Sequence, residues 1–136
     1  MKEFESNTQI KVAFCDLDPM NIVWHGNYLK YLELARSEMF EKLNFGYIQM
    51  AKNNVSYPIA KMDLKFIDSA HLHQTLNVKC VLKEIEPAII IKYTITDSQT
   101  GTKLFKAKSM QICVDNLTKE TLYTAPDELK KGIENV

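Results

Sequence analysis

Tyr28 to Leu43 reads YLKYLELARSEMFEKL, and its apolar residues return at helical spacing. Leu32, Ala35, Met39 and Leu43 make one stripe, which Leu29 and Phe40 broaden. Glu38 and Lys42, four residues apart, form a favourable pair on the wetter side. Asn27 precedes the stripe and is expected as the N-cap, because its side chain can accept from the unpaired amides of a first turn. A shorter helical piece is expected within Phe45 to Lys52. A helix with one long apolar stripe must bury it, and the remaining sequence shows what is available to cover it.

That remainder reads as strands. Upstream, Gln9 to Cys15 (QIKVAFC) alternates as a first strand. Downstream, Ala60, Met62, Leu64 and Phe66 alternate with Lys61, Asp63 and Lys65, and Leu76, Val78, Cys80 and Leu82 alternate with Asn77, Lys79 and Lys83. Ile89 to Ile95 is β-branched and apolar; Asp97 to Gly101 reads as a hairpin connection, and Thr102 to Val114 as the last long strand. Asp115-Asn116 marks a further turn, and Pro126 opens a terminal helix to about Ile133. One strand, one long helix and then four strands indicate an α+β fold with an antiparallel sheet, not alternating β/α units. Five strands cover one apolar helix only by curling around it.

The 136 residues contain no repeat, low-complexity tract or linker, so residues 1–136 read as a single domain. A chain of this length buries roughly 65–70% of its unfolded surface, enough for a real core. Seventeen basic residues balance seventeen acidic ones, which argues against bulk attraction to nucleic acid or an anionic membrane. Cys15, Cys80 and Cys113 cannot all pair within the chain, and none has CxxC spacing. Each falls in a stretch read as strand, so buried reduced thiols and a cytoplasmic location are expected. The N-terminus is charged, without the apolar core of a signal peptide, and no apolar run reaches membrane-spanning length.

The chemistry gathers in one loop, Asp16-Leu17-Asp18-Pro19-Met20-Asn21-Ile22-Val23-Trp24-His25-Gly26-Asn27-Tyr28. Pro19 disfavours helix at Asp18, so the segment stays a loop until the long helix begins. Asp18 and His25 can both turn toward that helix start, where free N–H groups and the helix dipole favour developing negative charge. A carbonyl placed there is polarised as in an oxyanion hole. A neighbouring carboxylate can then attack its carbon or draw a proton from water that does. A strand, an acidic loop and a helix N-terminus therefore suffice for acyl transfer.

The pattern D-x-D-P-x-x-I-V-W-H-x-N-Y-L-x-Y-L-E, from Asp16 to Glu33, resembles the signature of the 4-hydroxybenzoyl-CoA thioesterase family, including its Tol–Pal-associated members. The detailed match covers Asp16 to Arg36, and the order of elements extends it over nearly the whole chain. The resemblance implies a hotdog fold, a five-stranded antiparallel sheet wrapped around one long helix. It also implies dimers with active sites between protomers, often paired into tetramers. The implied reaction is hydrolysis of an acyl- or aroyl-CoA thioester, or of the same thioester on an acyl carrier protein, without metal or other cofactor. By the same resemblance, Asp18 is the nucleophile or general base, His25 positions substrate or water, and the amides near His25 and Gly26 polarise the carbonyl. Trp24, Gly26 and Asn27 then belong to the substrate-binding side. His25 follows the Tol–Pal-associated branch, where the hydroxybenzoyl branch has tyrosine. Asp18-Pro19 and Ile22-Val23-Trp24 look closer to the hydroxybenzoyl type, so the motif is mixed. Two other readings of the same fold are a non-catalytic acyl-CoA-binding module and a dehydratase. The intact reactive loop speaks against the first, and the absence of a dehydratase-type His and acid arrangement against the second.

Other polar residues have plainer readings. Asp16 is expected to cap or hydrogen-bond within the loop, and Tyr28 to pack. Glu33 is expected to be at least partly buried, bonded to Arg36 or loop amides. His71 and His73 alternate on an extended segment, but no Cys or carboxylate stands at ligand spacing nearby. Lys61, Lys65, Lys79 and Lys83 read as the solvent face of strands.

Overall fold

The apolar stripe of the long helix disappears completely from solvent: Leu32, Ala35, Met39 and Leu43 are all buried against the inner face of one sheet. The computed structural model describes residues 1–136. Its elements in chain order are β1 (Phe4–Lys11), α1 (Asn27–Lys42), α2 (Tyr47–Lys52), β2 (Val55–Ser56), β3 (Ile59–Phe66), β4 (Thr75–Glu84), β5 (Ile89–Asp97), β6 (Lys103–Gln111), β7 (Cys113–Asp115), β8 (Thr121–Leu122) and α3 (Asp127–Glu134). The main sheet has the order β1-β4-β5-β6-β3, and every neighbouring pair is antiparallel. This is the wrapped-helix architecture that the resemblance implies.

Strict alternation builds the wrapping face. Leu76, Val78, Cys80 and Leu82 of β4 point inward, as do Ile89, Ile91, Tyr93 and Ile95 of β5. Cross-strand register holds these layers together, with Cys80 opposite Tyr93 and Tyr93 opposite Ala107. Register shifts in the β3–β6, β4–β5 and β5–β6 pairings supply the bends that curl the sheet around α1. No helix is long and apolar enough to cross a membrane. β3 differs from the rest: it is an edge strand, and nearly all its residues are exposed.

Several boundaries depart from the sequence reading. β1 begins at Phe4 and ends at Lys11, so Cys15 lies outside it, exposed in a 3-10 turn over Phe14–Asp16. The reason is local: the Asp16 carboxylate accepts from the Ala13 amide at 3.0 Å and pulls the chain into a turn. Only Cys80 and Cys113 are the buried thiols expected of all three. The last strand breaks at Ile112, whose amide turns to the Pro58 carbonyl at 3.2 Å; β7 then joins β2 and β8 in a separate small sheet. Pro126 stands at the N-cap of α3, one place before the helix it was expected to begin.

Leu32 lies one turn beyond Tyr28 on the buried side of α1, so it supports the helix start from below. Replacing it with alanine should leave a cavity and destabilise the chain by about 2–5 kcal/mol. Denaturant unfolding should show a lower midpoint at an unchanged slope.

Candidate active site

Asp16, not the helix, organises the reactive loop. Its carboxylate is buried and accepts from the Ala13 amide, from the Tyr31 hydroxyl at 2.8 Å and from the Lys30 ammonium. Its carbonyl accepts from the Trp24 amide at 2.9 Å and from Asn27 Nδ2 at 2.8 Å. One residue thereby ties the end of β1 to both arms of the loop and to α1. Burial raises the carboxyl's pKa, but the hydrogen bonds from Lys30, Ala13 and Tyr31, with the Lys30 charge, outweigh it and hold it below the usual value. The structural role expected of Asp16 is therefore larger than a local cap.

Between those anchors the chain makes a tight reversal that presents Asp18. Leu17 bridges Val23, and the Asp18 amide donates to the Ile22 carbonyl at 2.9 Å. Asn21 takes a left-handed φ of 63°, which asparagine tolerates in turns. Asp18 Oδ1 accepts from the Met20 amide at 2.8 Å, while Oδ2 takes no hydrogen bond from the chain. The loop is pinned sideways as well: the Val23 amide donates to the Ala70 carbonyl at 2.9 Å, and Ile22 bridges His71.

The helix begins without a side-chain cap. Gly26 occupies the N-cap, and Asn27 is already the first helical residue, its side chain spent on Asp16. The expected capping role of Asn27 is thus replaced by a tie to the loop. The amides of His25 and Gly26 donate to no group in the chain. A Cβ at Gly26 would run into the Trp24 ring, so a larger residue there requires that half-exposed ring to shift.

Asp18 and His25 line one groove of about 240 Å³, with Ile22, Tyr28, Phe66 and Ser69 among its other walls. The His25 ring sits 5.1 Å from that of Trp24 and 6.4 Å, edge-on, from that of Phe66. Trp24, Gly26 and Asn27 lie behind this wall rather than in it: Trp24 is half-exposed beside His25, and Asn27 faces the Asp16 carbonyl.

The comparisons bear on the family and the fold. A family model described as the thioesterase-like superfamily matches residues 12–133. The chain belongs to that superfamily. Among its relatives, a candidate acyl-CoA thioesterase of Bacillus subtilis, YneP, is 28% identical over 110 residues, covering 81% of this chain and 80% of that protein. The acyl-CoA thioester hydrolase YbgC of Escherichia coli O6:H1 is 23% identical over 108 residues, covering 79% and 81%. The crystal structure of Slr0204, a 1,4-dihydroxy-2-naphthoyl-CoA thioesterase from Synechocystis, superposes with a TM-score of 0.88 at 14% identity, covering 98% of each chain. That last likeness concerns the fold, which is the hotdog fold.

For this thioesterase-like chain, some groove residues were not singled out by sequence reasoning. Tyr28 packs as expected, stacked on Phe105 at 4.9 Å. Its hydroxyl, however, accepts from the Ala70 amide at 3.1 Å, and its own proton has no acceptor in the chain. Burial, with the Asp68 charge against the help of the Ala70 amide, raises its pKa, so it stays a neutral donor. Phe66, Asp68 and Ser69 reach the groove from the far end of β3, a juxtaposition no local pattern announces. Glu33 is exposed rather than partly buried, and it does pair with Arg36. His71 and His73 do not share a strand face: His73 adopts a φ of 65° in the turn before β4.

Asp16→Ala should destabilise the chain by about 2–3 kcal/mol at neutral pH, since it strands the Tyr31 hydroxyl and the Ala13 amide. Because the folded carboxyl titrates below its unfolded value of about 3.9, its charge-dependent contribution is fully present above that pH and is lost as pH falls through the lower folded value. The stability gap between wild type and variant should therefore narrow as pH falls below about 4, as thermal unfolding across pH would reveal.

Proposed function

We propose that this chain hydrolyses acyl-CoA thioesters to a free acid and CoA, with Asp18 as nucleophile or general base. The observation that carries the reading is one groove lined by the half-free carboxylate of Asp18 and by His25, which stands just before the open start of α1. Asp18 offers Oδ2, while the His25 and Gly26 amides are free to donate to a carbonyl oxygen. Donors fixed in place before reaction stabilise an oxyanion without reorganisation cost. Asp18 then adds to the carbonyl carbon, or takes a proton from water that adds. In the nucleophilic path the carbon–sulfur bond breaks, the CoA thiolate takes a proton from solvent, and water then hydrolyses the anhydride on Asp18 to the free acid. In the general-base path water adds directly, the carbon–sulfur bond breaks, and the proton taken by Asp18 passes to the leaving sulfur. His25, exposed at the groove wall, is suited to holding substrate or water beside that carbon. Relatives named as acyl-CoA thioesterases support the substrate class.

The reading includes a dimer formed along β3. That edge is unpaired and exposes Ile59, Leu64 and Phe66, with Ile67 just beyond it. Its charges suit self-pairing: an antiparallel register centred on Met62 sets Lys61 of each copy opposite Asp63 of the other, twice. Opposite charges across a strand pair favour that register. It also seats Phe66, a groove wall, against Pro58 of the second copy.

Asp18→Asn keeps the acceptor for the Met20 amide and removes the charge. It should lower turnover by about 10²–10⁴-fold on a panel of short, long and aromatic acyl-CoAs and an acyl carrier protein thioester, with melting temperature little changed. Near-normal hydrolysis by the purified variant would reject the mechanism. Separately, Asp63→Lys should weaken self-association in sedimentation velocity, and adding Lys61→Asp should restore it. A dimer indifferent to both changes would place the interface elsewhere.

A further inference from the structure

The outer face of the main sheet, turned away from α1, carries a charge pattern that the fold does not use. Lys61 and Lys65 of β3, Lys106 and Lys108 of β6, Lys92 of β5 and Lys79 of β4 alternate with inward residues and point outward. Asp63 is the one acid among them, and Lys61 already stands 3.9 Å from it. The other five lysines form no ion pair within the chain. Register sharpens the point: Lys65 stands directly opposite Lys106, and Lys92 directly opposite Lys108. Like charges facing each other across a strand pair are destabilising. Two such pairs side by side cost the sheet stability, and uncharged residues at these outward positions would leave the buried face untouched.

The balance of seventeen basic and seventeen acidic residues therefore hides a separation of charge. Lysines paired across strands about 5 Å apart lie within one Debye length of about 8 Å, so their potentials add. The face curves around α1 and encloses nothing: between Lys65, Lys92, Lys106 and Lys108 there is only a shallow, open depression of about 220 Å³. Its four strands offer no outward arginine to grip a phosphate in a fork, and no outward aromatic ring on which a base could stack. A second copy stacked on it would set lysine against lysine. None of the six lysines lines the groove. Spread, point-like, hydrated charges match a surface of many mobile anions, which needs neither a pocket nor a fixed register.

We propose that the outer sheet face docks the chain on an anionic phospholipid bilayer through Lys65, Lys79, Lys92, Lys106 and Lys108. The attachment is peripheral and electrostatic, with the ammonium groups among the lipid headgroups; no helix is long and apolar enough to cross the membrane. The inference goes beyond the thioesterase reading and does not depend on it. Self-pairing along β3 would join two such faces into one and double the charge presented.

Lys92→Gln, Lys106→Gln and Lys108→Gln together remove both like-charge pairs and leave the groove and the Lys61–Asp63 edge intact. This triple variant should melt no lower than wild type. Co-sedimentation uses vesicles of phosphatidylcholine and phosphatidylglycerol in equal parts, with pure phosphatidylcholine as the control. Wild type should pellet with the mixed vesicles and not with the control, and less so as added salt shortens the Debye length. Each lysine near an anionic surface strengthens binding about fivefold, so the glutamine variant should bind about a hundredfold more weakly. Arginine at the same three positions keeps the charge and should keep the binding. Equal binding to both vesicle types, binding to neither, or undiminished binding by the glutamine variant overturns the proposal. The same proteins report rival occupants. Stronger retention of wild type on duplex DNA or on polyglutamate than on the mixed vesicles, lost in the glutamine variant, would give the face to that class of partner and overturn the bilayer assignment. A KM raised in the glutamine variant for butyryl-CoA, but not for the matching N-acetylcysteamine thioester, would give the lysines to the CoA phosphates and overturn it too. Vesicle binding needs no turnover, so its failure is distinguishable from failure of the thioesterase reading.

Discussion

The buried carboxylate of Asp16 fixes the loop that carries Asp18 and His25. It gathers the Ala13 amide, the Tyr31 hydroxyl and the Lys30 ammonium, while its carbonyl holds the Trp24 amide and the Asn27 side chain. A charge this buried is tolerable only when so fully bonded. The consequence is geometric: the loop leaves β1, reverses at Asp18 and returns to the helix start with little freedom. Asn27, drawn to Asp16, does not cap the first turn, and just ahead of it the His25 and Gly26 amides have no partner in the chain. Structural satisfaction at one aspartate thus creates chemical availability at another.

The same economy runs through the sheet. Four strands gain a buried face by curling around α1, and the fifth, β3, is left with exposed apolar residues at the rim. The groove sits at one end of this rim and a small cavity beside Arg36 at the other. The proposed self-pairing would use this edge, where Lys61 and Asp63 of each copy can meet across the strands. Under that proposal, fold, assembly and site meet on one strand. Three polar groups near its start, Arg36, Tyr57 and Gln111, sit where a plain core would have been simpler to pack.

Much of this was legible in order along the chain. The stripe from Leu32 to Leu43 and the alternation in β4 and β5 are strong periodic signals, and both elements formed where expected. Asp18 and His25 stood out because they share a short loop before the helix, and they do line one groove. The boundaries that moved were set by single hydrogen bonds. Ala13 to Asp16 ends the run that otherwise reads as strand through Cys15, and Ile112 to Pro58 splits the last long strand. Neither bond has a periodic signature. Cys15, placed by extrapolating a strand, therefore came out exposed rather than buried.

Periodicity and composition by themselves determined that one helix would be wrapped by an antiparallel sheet, because an apolar stripe and alternating strands leave few ways to hide from water. The reactive loop was likewise readable, since its residues are neighbours in the chain. Tertiary structure alone decided the walls of the groove, where Phe66, Asp68 and Ser69 arrive from β3 and the turn after it to face Asp18. It alone decided that Gln111 and Tyr57 would bury unanswered polar atoms beside Arg36. Local patterns report which side of an element faces the core; which distant side chains then meet depends on strand order and register, and those are settled by packing the whole sheet at once.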